Sequence, residues 1–396
     1  MSFSSFQTRF SGQKDALFGL AFRTSLLTLL TVGFYRFWMK TRMRRYLWSA
    51  IEPGGTPLEY TGRGSEKLLG FLIAVVFLAF YIGVVNLILM FVSFTVLNGP
   101  GGGYLLSFVG LIPMYFFARY RARRYILART RWRGIRFGLE PGAWGYAWRA
   151  MIHWLVSIAS LGLLWPRMTF WLEKYRTDRT WFGDQNFVQG GKWTMLYRPY
   201  LQAILPIYVS AAVIAAISFA ANGITMAPIL FLSIPWALVG FVHYRVQSFR
   251  ILAENKSLGG VSFEPLPRSA RVLGIYVGGY LMVGLVSSLA LTAMAIVLGA
   301  LAGVFGATSF DFIALANGNL LPYWFVAAFG ALTYFAVFIL YGALNQTFVT
   351  LPLIGHYAET LAVHGAENLT AISQRERDEA TEAGGFAEAL DVGAAI

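Results

Sequence analysis

The feature that most restricts the fold of this chain is the length of its uncharged segments. No charged side chain occurs between Leu68 and Ala118 or between Pro199 and His243, and Asp311 is the one exception between Val272 and His356. About 20 apolar residues cross a bilayer as a helix, so each run is long enough for two helices and a connection. Only 13% of the residues are charged, against about 25% in soluble domains. These features predict an all-α membrane protein.

Turn-forming residues divide each run near its middle, at Asn98–Gly103, at Asn222-Gly223 and within Thr308–Leu321. The prediction is therefore six transmembrane helices arranged as three hairpins. Their predicted ranges are 70–97, 103–118, 201–221, 225–243, 273–305 and 322–349.

Two shorter apolar segments, Ala16–Trp38 and Met151–Trp165, have basic sequence on both sides. A crossing helix here would put one basic flank outside, against the positive-inside rule. We expect instead two re-entrant or interfacial helices, with an eight-span topology as the alternative. Six spans put residues 39–67, 119–149, 167–198 and 245–271 in the cytoplasm with both termini, and 98–102, 222–224 and 306–321 in the periplasm.

Sequence similarity within the chain predicts an internal repeat of parallel sense. TVGFYRFWMK at 31–40 aligns with SLGLLWPRMT at 160–169, which pairs Gly33 with Gly162 and Tyr46 with Tyr175. His-Tyr followed at fixed spacing by Ala-Glu-Asn occurs after residue 242 and again after residue 355. The predicted division is a first repeat at 1–149, a second at 150–271, a third hairpin with an amphipathic helix at 272–372, and a flexible acidic tail at 373–396.

Arginine is concentrated at 119–136, RYRARRYILARTRWRGIR, which directly follows the first uncharged run. A basic helix leaving the membrane meets anionic headgroups, and the arginine fork grips phosphate in bidentate fashion. Lipid is therefore favoured over nucleic acid as the partner, while a role in setting orientation alone remains open. The predicted lipid-phosphate residues are Arg42, Arg44, Arg45, Arg121, Arg123, Arg124 and Arg129.

The segment LLTLLTVGFYRFWMKTRMRRYLWSAIEPGGTPLEYTG, residues 26–62, resembles the YjgN family of bacterial inner-membrane proteins, a family of unknown function. The resemblance rests on Gly33, Trp38, the Arg42–Tyr46 motif and Tyr60-Thr-Gly62. Phe37 replaces the usual proline, and Glu173-Lys174 stand where the second copy would carry paired arginines. The resemblance implies a bacterial inner-membrane protein and assigns no activity.

Catalytic patterns are sparse, so a non-enzyme without cofactors is expected. The chain has no cysteine and four histidines. His356 and His364 are about 80° away from sharing a helical face, so no metal site is predicted. Strongly polar residues within the predicted spans are candidates for a cavity or for interhelical hydrogen bonds. They are Asn86, Gln202, Asn345 and Gln346.

Two classes of function follow from these patterns. One is a membrane pathway or lipid-binding cavity for a small molecule or lipid. The other is a membrane scaffold or accessory subunit of a partner membrane protein such as a metallopeptidase, a partner that the resemblance implies. An exposed Gly-x-x-x-Gly, at Gly274–Gly278 or Gly299–Gly303, would favour the scaffold.

Overall fold

A computed structural model describes residues 5–96, 99, 101–219, 223–304 and 321–376. The chain forms two compact units, of which one comprises 1–11, 47–273 and 355–396, and the other 12–46 and 274–354. Most of the predicted tail and nearly all of the predicted outer connection at 306–321 lie outside the described residues, as do residues 98, 100 and 222 of the other two connections. The predicted division into repeats stays a prediction.

Helices make up most of the described chain. They are α1 (Lys14–Leu30), α2 (Arg36–Ser49), α3 (Gly64–Phe80), α4 (Asn86–Val96), α5 (Gly101–Ala128), α6 (Ala143–Ala159), α7 (Trp165–Thr177), α8 (Tyr197–Phe219), α9 (Pro228–Glu254), α10 (Ser269–Val304), α11 (Leu321–Asn345) and α12 (Leu351–Glu359). π-helical turns at Tyr81–Val85 and Gln346–Thr350 join α3 to α4 and α11 to α12.

Within the described residues, six helical segments are long and apolar enough to cross a membrane, as the sequence predicted. Neither α1 nor α6 is among them. The six are Gly64–Val96, Gly101–Ala128, Trp193–Phe219, Pro228–Glu254, Ser269–Val297 and Ala327–Glu359.

The all-α prediction was wrong, because the first unit contains a ten-stranded antiparallel sheet. Its strands are β1 (Ser5–Phe10), β2 (Ile51–Pro53), β3 (Leu58–Tyr60), β4 (Thr130–Trp132), β5 (Ile135–Leu139), β6 (Thr180–Phe182), β7 (Gln185–Gln189), β8 (Lys256–Leu258), β9 (Val261–Pro265) and β10 (Leu361–His364). The strand order is β2-β1-β10-β9-β8-β7-β6-β5-β4-β3. β2 and β3, at the two ends of this order, are consecutive in the chain and in contact, so the sheet is barrel-like.

Tight turns explain why the strands form where a helix was expected. Arg133-Gly134 and Gly259-Gly260 have positive φ at both residues, as two-residue hairpin turns require. In β4, Thr130 and Trp132 are buried while Arg131 between them is not, which is the period-two alternation of a half-buried strand. The predicted basic helix therefore ends at Ala128, and the rest of the arginine-rich stretch is a β-hairpin.

The buried face of the sheet is apolar and aromatic. Trp132, Phe182, Leu258 and Val261 form its core with Val363, and partly buried rings such as Phe6, Phe137 and Phe263 pack against them. Phe137 and Phe182 have ring centroids 4.6 Å apart. With Leu58 of β3, this core holds together strands from six separate parts of the chain.

The second unit has its own small core. Val283, Leu344 and Val349 are buried there, and Phe18 of α1 packs against them. Gly279 lies so close to the Phe348 carbonyl oxygen that an added Cβ would stand 2.6 Å from it. α10 therefore packs closely against the π-turn that precedes α12.

The two segments predicted as re-entrant or interfacial each form a helical hairpin, α1–α2 and α6–α7. The turns share an unusual backbone, with φ of 51° and 90° at Val32 and Gly33, and of 51° and 93° at Leu161 and Gly162. The Gly33 amide donates to the Thr28 carbonyl oxygen at 2.7 Å, and the Gly162 amide donates to the Ser157 carbonyl oxygen at 2.7 Å. The local geometry of the two turns is thus the same at positions 129 residues apart.

The second sequence match does not correspond to matching structure. Ala253 and Glu254 end helix α9, whereas Ala366, Glu367 and Asn368 lie in a 3-10 helix after β10. The segment predicted as an amphipathic helix in the third repeat is in fact the end of α12, strand β10 and this 3-10 helix.

Candidate functional site: the α6–α7 hairpin and the basic end of α5

Helix α6 presents an apolar, aromatic face to its surroundings. Its opposite face packs into the first unit through Ala143, Ala147 and Ala150, which are buried. The exposed face follows helical spacing and carries Trp144, Trp148, Ile152, Leu155 and Ile158. Trp148 is 60% exposed and Leu155 is 65% exposed. Such a contiguous face is costly in water and favourable in lipid, with tryptophan suited to the interface.

The tip of the hairpin is also apolar. Leu161, at the left-handed turn, is 77% exposed, and Leu163 follows it with half of its surface exposed. In the second unit Val32, at the equivalent turn, is 88% exposed. Each hairpin therefore ends in aliphatic side chains that the described protein leaves uncovered.

The basic end of α5 lies beside the tryptophan end of α6. The Phe117 and Trp144 ring centroids are 4.8 Å apart, and the Arg121 guanidinium lies over the Phe117 ring at 5.9 Å. This Arg121–Phe117–Trp144 stack puts a half-buried cation next to a half-exposed indole. The same arrangement at a membrane boundary would put an arginine at phosphate depth.

A cluster of charged side chains is centred on one carboxylate of α7. Glu173 of α7 accepts hydrogen bonds from Arg176 at 2.6 Å and from Lys256 at 2.7 Å. Arg123 of α5 lies 3.8 Å from the same carboxylate, of which 14% is exposed. The cluster thus ties α5, α7 and β8 together.

The charges of this cluster determine its protonation. Burial alone would raise the pKa of Glu173, but the attraction of Lys256, Arg176 and Arg123 outweighs it and holds the pKa well below its usual value. Burial would likewise lower the pKa of Arg176, but Glu173 raises it. Glu173 is therefore ionised at neutral pH.

Glu173 was noted in the sequence only as a departure from the paired arginines, and its role was missed. The sequence contained a signal for this role, because Glu173 is an acid among many basic residues. An acid inside an arginine-rich set of elements is the group needed to neutralise buried cations.

The predicted phosphate-binding arginines have different surroundings. Arg124 is 7% exposed and its Nε donates to the Leu139 carbonyl oxygen at 3.0 Å, so it serves the protein interior. Arg129 pairs with Glu66 at 3.1 Å. Glu66 and Glu173 are thus two acids that pair with this strip, and neither pairing was predicted from the sequence.

In the second unit, Arg44 is buried and Arg42 is exposed, with the Arg42 guanidinium 5.6 Å from the Tyr35 ring centroid. Arg45 is exposed. The two exposed arginines stay candidates for lipid contact in that unit.

Three of the four polar residues predicted for a cavity lie at irregular points of the helices. Asn86 follows the first π-turn, and Asn345 and Gln346 stand at the start of the second. The Oδ1 atoms of Asn86 and Asn345 are buried and accept no hydrogen bond from any described residue. Gln202 is exposed on α8, and its carbonyl oxygen would lie 2.0 Å from a Cβ added to Gly240 of α9.

No group of three or more metal-ligating side chains occurs in the part of the chain that the structure describes. His364 instead pairs with Glu264 at 2.8 Å, and His356 accepts a hydrogen bond from the Arg268 amide at 3.0 Å.

Six long apolar helices, with a barrel-like sheet formed from their connections, are the features of a multi-pass membrane protein. The family model of bacterial proteins of unknown function, DUF898, matches residues 5–385, and the chain belongs to this family. The resemblance to a YjgN-type family of unknown function is confirmed at that level. Comparisons with curated proteins and with solved structures found no match.

Proposed function

We propose that this protein is a non-enzymatic, lipid-binding protein of the bacterial inner membrane. In this proposal α1–α2 and α6–α7 are re-entrant hairpins, and the basic–aromatic surface around Arg121 and Trp144 holds anionic headgroups. The transmembrane helices form a pathway or cavity for lipid or a small molecule.

The observation that carries the proposal is strand pairing across each hairpin. β1 precedes α1 and pairs with β2, which follows α2, through Arg9 opposite Glu52. β5 precedes α6 and pairs with β6, which follows α7, through Phe137 opposite Phe182. Strands that share backbone hydrogen bonds lie on the same side of a membrane. Each hairpin therefore returns to the side on which it began, although its tip is apolar.

The same pairing argues against eight spans. If α1–α2 and α6–α7 each crossed the bilayer once, β1 would be separated from β2 and β5 from β6. With six spans, every strand is on one side. The excess of arginine in the strand-bearing connections makes that side cytoplasmic, with both termini.

Magnitudes favour lipid as the ligand of the basic surface. Each basic side chain near an anionic leaflet contributes about 1 kcal/mol to the free energy of attraction to the membrane surface. Arg121 in the first unit, and Arg42 and Arg45 in the second, are the arginines proposed to make such a contribution, each within its own unit. Arg124, which is buried, is not part of this surface. Nucleic acid is not a partner in this proposal, because exposed apolar groups accompany the exposed arginines.

The test is lipid retention by the full chain purified in mild detergent, read by native mass spectrometry. Arg121→Gln and Trp144→Ala should each lower retained phosphatidylglycerol and cardiolipin severalfold. Arg250→Gln is the matched control, since Arg250 is a partly exposed arginine of α9 outside the Arg121–Trp144 surface. Unchanged anionic lipid in both variants, or copurifying nucleic acid that the variants release, would refute the proposal.

The second candidate function is a membrane scaffold or accessory subunit. Gly274 and Gly278 are exposed on α10, and a Cβ added to either would meet nothing within 4 Å. An uncovered Gly-x-x-x-Gly face fits close approach of another transmembrane helix. A metallopeptidase remains the proposed partner. Crosslinking from Gly278→Cys to a partner in native membranes would favour this candidate, and lipid adducts alone would favour the first.

A further inference from the structure

A pocket of about 460 Å³ opens beside the sheet in the first unit. It is lined by Gln7, Glu264, Leu266, Arg268, Arg271, His356, Glu359, Thr360, Leu361 and Ala362. None of the residues proposed above for lipid binding lines it.

The floor of the pocket is set by strand register. Gln7 of β1 stands opposite Ala362 of β10, which stands opposite Glu264 of β9. Residues directly opposite one another point to the same face of a sheet. The middle residue of this row is an alanine between two long polar side chains, so the floor is recessed at Ala362.

The walls come from the ends of two candidate spans. Arg268 directly precedes α10 and Arg271 lies in its first turn, while Glu359 is the last residue of α12. The Arg268 amide donates to His356 Nε2 at 3.0 Å, and the Leu266 amide donates to the Thr360 carbonyl oxygen at 2.9 Å. These bonds hold the two walls at a fixed separation at the membrane boundary.

Charge in the pocket is separated. The two arginines lie on the wall formed by the start of α10. Glu359, the last residue of α12, lies on the other wall. Among the described residues, none forms an ion pair with Arg268, Arg271 or Glu359. Glu264 has one carboxylate oxygen bonded to His364 Nε2 at 2.8 Å. The pocket thus contains two guanidinium groups that can bind phosphate and carboxylate oxygens that can accept hydrogen bonds.

We propose that this pocket binds a phosphoethanolamine group, with the phosphate at Arg268 and Arg271 and the ammonium at Glu359 and Glu264. Arginine forks match phosphate oxygens, and a primary ammonium supplies three hydrogen-bond donors for carboxylates. A choline group has no N–H and would leave those oxygens without a donor. The place of the pocket at the ends of two spans makes phosphatidylethanolamine the source that fits best, and a soluble phosphoethanolamine ester carries the same chemistry.

The test is a competition in nanodiscs that contain the full chain and equal amounts of phosphatidylethanolamine, phosphatidylglycerol and phosphatidylcholine with the same acyl chains. Lipids retained after transfer to detergent are counted by native mass spectrometry. The expected result is preferential retention of phosphatidylethanolamine. Arg271→Gln should reduce it about tenfold, as expected for loss of one charge-assisted hydrogen bond.

Two further variants separate pocket shape from charge. Ala362→Leu should fill the floor and abolish the preference. Glu359→Gln should shift retention from phosphatidylethanolamine toward phosphatidylglycerol. The matched controls are Ser262→Leu, on the same face of β9 but outside the pocket, and Arg9→Gln, an exposed arginine of β1 that does not line it.

Adding glycerophosphoethanolamine distinguishes the two sources of the ligand. Displacement of the lipid only at large excess supports a lipid site, and displacement at matched concentration supports a soluble ligand. Equal retention of all three lipids in the wild-type chain, or an unchanged preference in Arg271→Gln and Ala362→Leu, would overturn the proposal. Because this pocket shares no residue with the Arg121–Trp144 surface, either proposal can fail alone.

Discussion

The Tyr175 hydroxyl donates a hydrogen bond to the Gly142 carbonyl oxygen at 2.9 Å. Gly142 directly precedes α6 and Tyr175 lies near the end of α7, so this bond closes the base of the α6–α7 hairpin. At the positions 129 residues earlier, the Tyr46 hydroxyl donates to the Gln13 carbonyl oxygen, also at 2.9 Å. The family-signature tyrosine therefore serves to join the start and end of each hairpin.

Removing this hydroxyl should weaken the hairpin. We expect Tyr175→Phe to lower the free energy of unfolding by about 1 kcal/mol, the usual loss for one hydrogen bond. Thermal unfolding in detergent measures it. Tyr104→Phe, at an exposed tyrosine of α5, is the control and should leave the unfolding temperature unchanged. Equal behaviour of the two variants would contradict the closing role of Tyr175.

The charge cluster makes a second, larger prediction. Glu173→Gln leaves Arg176 and Lys256 without their carboxylate in a mostly buried site, which should cost about 3 kcal/mol or more. Glu254→Gln removes an i,i+4 partner of Arg250 that is a third exposed, and should cost less than about 1 kcal/mol. Denaturant unfolding of both variants measures the two losses of unfolding free energy. Similar losses would mean that Glu173 does not stabilise the cluster more than an exposed ion pair does.

The depressed pKa of Glu173 predicts a pH dependence. Because the folded pKa lies below the unfolded one, the stabilisation is complete above the unfolded pKa and is lost as the pH falls through the folded pKa. Unfolding temperatures of the wild-type chain should thus decline on acidification below about pH 4.3, the ordinary glutamate value. The Glu173→Gln variant should decline less steeply over the same range. Parallel curves would show that other carboxylates dominate the acid response.

The left-handed turn of the α1–α2 hairpin predicts the effect of one added methyl group. Gly33 has φ +90° and a Cβ there would touch nothing, so Gly33→Ala should cost about 1 to 2 kcal/mol through backbone strain alone. Gly19 also has open space, but it lies inside α1 with ordinary helical geometry. Gly19→Ala should therefore stabilise the chain by up to about 1 kcal/mol. The opposite signs, read by thermal unfolding, are the diagnostic result.

Sequence alone was enough for the six apolar helices, since these depend on long hydrophobic runs. That the two shorter apolar segments re-enter the membrane stays a prediction. Sequence alone missed the sheet because each strand has only three to six residues. Such strands pair with partners far along the chain, as β1 does with β10, and no local period reports that pairing. Arg131, Arg133 and Arg136 belong to the local β4–β5 hairpin, and they were assigned to a helix because they continue the arginine-rich sequence of α5.

The site was predicted only in outline. The basic segment was identified because it contains many arginines. Whether an arginine is available to lipid or pairs with a carboxylate depends on residues that are distant in the sequence. Arg123 faces Glu173, and Arg129 faces Glu66, at 3.1 Å. The apolar face of α6 was readable from the spacing of Trp144, Trp148 and Ile152, but its start at residue 143 precedes the apolar run by eight residues.

The central claim is that α1–α2 and α6–α7 enter the membrane and return. The most direct measurement uses single cysteines, Arg9→Cys, Glu59→Cys and Gln185→Cys, in this cysteine-free chain, labelled with an impermeant thiol reagent in intact cells and after permeabilisation. Six spans with returning hairpins predict that all three residues react only after permeabilisation, while Gly99→Cys reacts in intact cells. Labelling of position 185 from outside, with position 59 protected, would mean that α6–α7 crosses the bilayer and would contradict the account.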